Sequence, residues 1–450
     1  MPLTSNVRDC IERLTVCAAA LAIAACSGVT DGAGTAGTTA MTSGATFNVT
    51  TAAAITGTIL SVTIAGPPVV RFKITDENGV LLHGLQAADI DFAIAQLVPG
   101  THGGSSRWNS YIYGTVPPYR CPAAVISCAG AAQMQATVEA AGAGTFVDNG
   151  DGTYQYTFQK DITKDPKVIY DASLTHRVGF EIRGLAQANN ASYTFQPSTG
   201  ATSGIFSSEI VVTATCNSCH SVLTAHGGAR VELQYCVMCH NPGTTDPNSG
   251  NTLDMSVMIH KIHSGNTLPS IQTATVPDTV PKLGSGYWIV GYAGSLSNFN
   301  TLRYARDTRN CAACHVQNLP AAPQAADFAT VSTAASCGAC HDDVNFMSGL
   351  NHGGGAQPND RQCATCHGPA STIAGGNLQV VASHLLPANM SAAKFPYTYP
   401  TSFTPDAARD TDPVVIRGRS LHRLESSIRC GTARYGCFRA NEFRGTDFAP

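Results

Sequence analysis

Five times between residues 216 and 367 the chain repeats the pattern Cys-x-x-Cys-His. The copies are Cys216–His220, Cys236–His240, Cys311–His315, Cys337–His341 and Cys363–His367, with thiols at Cys216, Cys219, Cys236, Cys239, Cys311, Cys314, Cys337, Cys340, Cys363 and Cys366. Two thiols at this spacing can add across the two vinyl groups of a porphyrin, and the imidazole beside them reaches its iron, which makes the pattern the c-type haem attachment signature. Zinc is the rival chemistry, because a Cys-x-x-Cys pair is half of many tetrahedral sites. Zinc, however, does not ask for His after every second Cys, and a thioredoxin-like redox pair would occur once, beside a βαβ pattern. The cofactor reading is five covalently bound haem c groups, with His220, His240, His315, His341 and His367 as proximal iron ligands.

The chain has 14 histidines, and five more fall within or just after this segment: His226, His260, His263, His352 and His384. Five haems meeting five spare imidazoles suggests bis-His ligation throughout, although a surface or core role stays open for any single one, and sequence does not say which imidazole serves which iron. His260 and His263, in V-M-I-H-K-I-H, lie three apart on an expected helix and share a face, so they can serve two neighbouring haems. His226 and His352 are each followed by Gly, where little bulk hinders a flat ring. Met238, Met255, Met258 and Met347 could in principle be sixth ligands that raise the potential, but with imidazole sufficient they read as core filler. With every iron six-coordinate the segment is a conductor, and no Cys-x-x-Cys-Lys variant is present to mark a catalytic haem.

Arg8 and Arg13 precede a run from Leu14 to Ala25 that is apolar except for Thr15, ending in I-A-A-C. The run is too short to span a bilayer and reads as a signal peptide of residues 1–25 with a lipobox, so that Cys26 becomes the lipidated N-terminus. Ordinary cleavage nearby, with Cys26 incidental, is the alternative. Residues 26–45 are rich in Gly, Thr, Ala and Ser, the composition of a flexible tether. Of 17 cysteines, Cys121 and Cys128 remain upstream of the haem motifs. In an oxidising compartment a disulfide is their default, with free thiols or a redox-switching pair as alternatives.

The elements that must position these groups fall into two domains. Residues 46–205 read as all-β, a Greek-key barrel or sandwich of short antiparallel strands: Val69–Thr75 alternates apolar and polar residues, Val147–Phe158 is a turn feeding a strand, and His176–Gly184 is a third strand. The loop D-N-G-D-G at 148–152 could bind calcium but reads better as a hairpin turn. Trp108, Tyr111, Tyr113 and Tyr119 read as loop or core. Residues 206–386 form the multihaem domain, mostly coil and short helix, with motif starts 20, 75, 26 and 26 residues apart. It is poor in large aliphatic side chains, so its cofactors must supply much of its core. Residues 387–415 look like the start of a second β domain, and 416–450 are an atypical Arg-rich tail that reads as a truncated or frameshifted end. A net charge of −3 argues against nucleic acid as a partner.

The segments C-N-S-C-H-S-V-L-T-A-H-G-G-A-R, Y-C-V-M-C-H-N-P-G-T, M-I-H-K-I-H-S-G, C-G-A-C-H…N-H-G-G-G and C-A-T-C-H…H-L-L-P…A-A-K-F resemble the outer-membrane decahaem c-type cytochromes of the OmcA/MtrC family, over roughly residues 45 to 400. Family members alternate β and pentahaem domains, two of each; this chain looks like the first pair. The resemblance implies extracellular electron transfer by a lipid-anchored, surface-exposed protein of the outer membrane. Electrons would come from a porin-cytochrome conduit and pass to ferric or manganese oxides, flavins or other multihaem cytochromes. It also places His226, His260, His263, His352 and His384 at distal ligand positions. The leading expectation is an electron-transfer protein, with reduction of ferric oxides as the activity it could support. A haem enzyme with one open iron, a docking component and a non-functional truncated cytochrome are the other readings.

Overall fold

The computed structural model describes residues 47–185, 187–273 and 277–384, all within one compact unit that begins at Thr46. The signal peptide, Cys26, the 26–45 tether, the 387–415 segment and the 416–450 tail lie outside the described residues. No helix among those described is long and apolar enough to cross a membrane.

The chain first lays down β1 (Phe47–Asn48), β2 (Ala54–Thr63), β3 (Val69–Thr75), β4 (Leu82–His83), β5 (Ile90–Val98), β6 (Arg107–Ser110), β7 (Tyr113–Val116) and β8 (Gln133–Ala136). It continues with β9 (Thr145–Asp148), β10 (Thr153–Thr157), β11 (His176–Ile182), β12 (Gln187–Ala188) and β13 (Ala191–Phe195). Two sheets stack, one in the order β12-β2-β3-β10-β9 and the other β13-β11-β5-β6. No ladder joins them, so of the two β architectures expected the structure is the sandwich. Pairing is antiparallel apart from the short parallel pairs β1–β4 and β12–β2. The core between the sheets is built by Ile55, Val70, Phe72, Ile74, Tyr154 and Tyr156 from one side and Phe92, Ile94, Val178, Phe180 and Ile182 from the other. Phe92 stacks on Tyr156 with ring centres 4.1 Å apart, a packed aromatic pair of the kind that adds to simple burial. Gly57 is needed here: a Cβ would stand 2.4 Å from the Phe180 ring.

The expected strand at His176 is present as His176–Ile182. It has no solvated face, since all seven residues are buried, and so are Ile90 to Leu97 of its neighbour β5. Alternate residues point into the sandwich, while Ala93, Ala95 and Leu97 meet Tyr235 and Met238 of the haem segment. At Gly179 a Cβ would fall 2.7 Å from Tyr235. A sheet covered on both faces loses the polar alternation that marks a free one. The D-N-G-D-G loop is a turn, with Gly150 and Gly152 at positive φ and its carboxylates accepting from Gly84, Gly150 and Thr153. Trp108 and Tyr111 are core; Tyr119 is exposed.

Beyond the sandwich the chain is coil punctuated by α1 (Thr213–His220), α2 (Leu233–Cys236), α3 (Met255–Ser264), α4 (Asp327–Thr330), α5 (Ala334–Gly338), α6 (Cys363–His367) and α7 (Val380–Ser383), with one small hairpin of β14 (Trp288–Val290) and β15 (Leu296–Asn298). The Cys121–Cys128 sulfurs are bonded. Their loop docks on the hairpin region, with Ile126 donating to the Pro281 carbonyl and Val125 packing on Trp288.

Candidate haem sites

Each Cys-x-x-Cys-His copy is one helical turn. In α1 and α6 it closes the helix, and in the other three the His backbone N–H donates to the carbonyl of the first Cys, at 2.9 Å for His240, 2.8 Å for His315 and 2.9 Å for His341. Positions i, i+3 and i+4 of a helical turn share a side, so both thiols and the imidazole face the same space. The ten thiols are all free.

Every one of these histidines faces exactly one of the five spare ones. His220 meets His263 with ring centres 6.1 Å apart, His240 meets His226 at 6.0 Å, His315 meets His260 at 6.2 Å, His341 meets His384 at 6.1 Å, and His367 meets His352 at 6.3 Å. Two iron–nitrogen bonds of about 2 Å, plus about 1.1 Å from each nitrogen to its ring centre, place trans imidazole centres about 6 Å apart. The donors fit a six-coordinate haem iron at all five places. A zinc site would instead gather its donors at one point, and no group of three or more His, Cys, Asp or Glu does so among the described residues.

Backbone carbonyls fix the rings. Nδ1 of His240 donates to Leu253, of His263 to Ile259, of His352 to Gly355, of His367 to Leu378 and of His384 to Val380, over 2.7 to 3.0 Å. With Nδ1 carrying the proton, Nε2 is left as the free lone pair, the tautomer an iron requires. His260 and His315 bury Nδ1 without a well-formed partner. Burial holds His220, His226, His240, His260 and His315 below the ordinary histidine range, with His226 and His260 lowered to about 4. Neutral imidazole is the ligating form.

The pairing runs across the chain in a way spacing does not announce. Helix α3, capped by Asp254 accepting from Ser256, carries His260 to the third motif and His263 to the first, so the expected sharing of one helix face by two sites holds. His226 reverses the chain: φ is positive at His226, Gly227 and Gly228 in succession. The two glycines are there for that backbone as much as for clearance. The thiols also order the sites. Cys236 lies near enough to Cys216 for their charges to interact, Cys216 near Cys314, Cys311 near Cys340, and Cys337 near Cys363. Neighbouring sites by this measure are second and first, first and third, third and fourth, and fourth and fifth.

Met238 and Met258 are buried in separate clusters, Met255 packs against the Met258 cluster, and none of the three takes a ligand position. Met347 is not core, being 68% exposed. Aromatic neighbours that no local pattern announces brace these histidines: Tyr304 edge-on to His263 at 5.0 Å, Phe328 on His315 at 5.2 Å and Phe346 on His352 at 5.3 Å. Of the remaining histidines, His176 is buried in the sandwich, hydrogen-bonded to Tyr111.

The family model for outer membrane cytochrome MtrC/MtrF-like domains II/IV matches residues 208–376, and that for the OmcA-like N-terminal domain matches residues 53–202. The chain belongs to the OmcA/MtrC family of outer-membrane multihaem cytochromes. A curated relative, the multihaem cytochrome MtrC of Shewanella baltica (strain OS185), is 28% identical over 319 residues, 68% of this chain and 39% of the relative. The crystal structure of the outer membrane decahaem cytochrome OmcA superposes with a TM-score of 0.59 at 29% identity, covering 72% of this chain and 47% of that one. The chain thus spans less than half the length of these OmcA/MtrC relatives.

Proposed function

We propose that the chain binds five haem c groups at the ten motif cysteines and passes electrons along them at the outer membrane. The observation that carries this reading is the set of five facing imidazole pairs at one common spacing. Haem c, when bound, supplies an iron that alternates between ferric and ferrous. The polypeptide's part would be to offer each iron a pair of imidazoles, so that neither water nor a small substrate competes, with the backbone carbonyls on Nδ1 keeping those rings fixed. Sharing of α3 between the first and third sites, and of the 334–360 segment between the fourth and fifth, where Asp360 accepts from Ala334, keeps neighbours close. Bis-imidazole ligation without methionine favours low potentials.

Extracellular acceptors follow from the same reading: ferric and manganese oxides, flavins or other multihaem cytochromes, with electrons arriving from a porin-cytochrome conduit. The bonds that hold the His352 ring to Gly355 and the His367 ring to Leu378 both lie at the surface, which suits exchange with bulky partners. Acylation at Cys26 would hold the protein at the cell surface; a Cys26→Ala variant released from the membrane fraction supports it, and one retained there removes it. The decisive experiment is a haem count by mass together with low-temperature EPR of the ferric protein. Five covalent haems, all low-spin, are expected. Fewer than five, or a high-spin signal from folded protein, overturns the reading, the latter in favour of an enzyme with an open iron.

A further inference from the structure

The second site differs from the other four in what holds its distal imidazole. His226 lies in a turn closed by reciprocal backbone hydrogen bonds between Ala225 and Arg230, at 2.9 and 3.3 Å. The left-handed run His226-Gly227-Gly228 gives that turn no helix to lean on. Its supports come from the sandwich instead. Asn190, at the start of β13, donates from Nδ2 to the Ala229 carbonyl at 2.8 Å and accepts at Oδ1 from Val231 and Glu232, at 2.8 and 3.2 Å. Glu181, on β11 with 1% of its side chain exposed, accepts from Nε and Nη2 of Arg230. Arg183 and Asp91 complete the cluster from β11's end and β5.

The charges are well matched. Burial alone would push the Glu181 carboxyl up, but Arg230 and Arg183 hold it below its ordinary value, and Arg230 is raised in turn. Arg230 is also the nearest charge depressing His226, after burial itself. A buried pair of this kind adds little net stability, yet removing one member leaves an uncompensated charge, so its effect is on geometry. By contrast His263 and His384 are braced from inside their own helices.

We propose that Glu181 and Asn190 of the sandwich are positioning residues for His226, acting through Arg230 and the 229–232 backbone, so that the sandwich sets the sixth ligand of the second haem. The inference rests on the reading of His240 and His226 as an iron-ligating pair. It gives the β domain a task beyond packing: one site in five answers electrically to a different domain. Arg230, a cation beside that iron's ligands, stabilises the reduced state, and Glu181 opposes it.

The test uses the full holoprotein and three variants: Glu181→Gln, Asn190→Ala and, as reference, His226→Ala. Haem content by mass comes first. If wild-type protein carries fewer than five haems or lacks low-spin iron there, the parent reading fails rather than this one. With five haems retained, His226→Ala should turn one haem in five high-spin by EPR. Asn190→Ala should give part of that same signal. Glu181→Gln, which keeps shape and removes charge, should shift the reduction step of that one haem to higher potential in a spectroelectrochemical titration, and Glu181→Asp should restore it in part. Low-spin spectra and reduction curves unchanged in both sandwich variants would overturn the proposal, as would an equal shift of all five haems, because mere docking predicts either.

Discussion

The sandwich and the haem segment solve the same burial problem with different materials. The sandwich core is a continuous set of aliphatic and aromatic side chains from both sheets. The haem segment has only small clusters, such as Met258, Leu268, Ile271 and Tyr287 around α3. Of the two, the sandwich carries its own apolar interior, whereas the haem segment, on the proposed reading, takes much of its interior from the cofactors it binds. The difference implies that the two regions should fail separately. Replacing all ten motif cysteines by Ala is the harshest way to check. The haem segment should lose protection completely, with limited proteolysis cutting throughout 206–384, while the sheet signal in far-UV circular dichroism persists. Equal protection of both regions in that variant would end the comparison.

The converse change strikes the sandwich. Phe92 is fully buried and touches Phe72, Tyr156, Phe158 and Phe180. Phe92→Ala should cost about 4 kcal/mol, the transfer term plus the cavity it leaves, read from urea denaturation of the sheet signal. The haem spectra of the folded variant should stay as they are, except at the second site if the sandwich governs it.

What the sequence made legible follows the same divide. The attachment motifs were readable because covalent chemistry demands residue types at fixed spacing, and the five spare histidines stood out only by matching the motifs in number; the structure sets each opposite one motif histidine. The α3 pair was readable because i and i+3 share a helix face. Strand Val69–Thr75 matched its alternation because one face of β3 reaches solvent. His176–Ile182 was legible as a strand, but not its burial: Arg177 is buried against Trp108 and Glu209, and Glu181 against Arg230. The partners of Glu181, Asn190 and Tyr304 lie tens of residues away, and no local pattern encodes them. Which imidazole meets which motif was hidden likewise, being set by tertiary folding.

A gentler probe acts on the seam. The Cys121–Cys128 loop belongs to the sandwich by sequence and to the haem segment by contact, since Ser127 accepts from Leu283 and Asn248 bridges Tyr119 on both its N–H and its carbonyl. Loop-closure entropy for so short a ring gives about 2.5 kcal/mol. Replacing both cysteines by Ser should lower the unfolding free energy by up to that amount, with hydrogen exchange quickening first at residues 281–294. Exchange quickening in the sandwich core instead would assign the loop wholly to the sandwich.

The smallest expected effect isolates the sandwich through proton uptake. His176 is fully buried, with Nε2 at the Tyr111 hydroxyl and Nδ1 at the Leu174 carbonyl. Burial lowers its pKa from 6.5 to about 4, against small opposing effects of the Leu174 carbonyl and Asp171. Since the folded value lies below the unfolded one, the neutral ring's contribution is complete above pH 6.5 and shrinks as the pH falls through the interval down to about 4. Linkage gives a loss of about 2 kcal/mol by pH 5. If the imidazoles of the haem segment are held by iron as proposed, they take up no proton over that interval, and the acid loss should appear in the sheet signal and not in the haem bands. His176→Gln, which can keep a hydrogen bond to Tyr111 without titrating, should flatten the pH dependence of sandwich unfolding between pH 6.5 and 5. An unchanged slope in that variant would mean that other groups, not His176, govern the sandwich in acid.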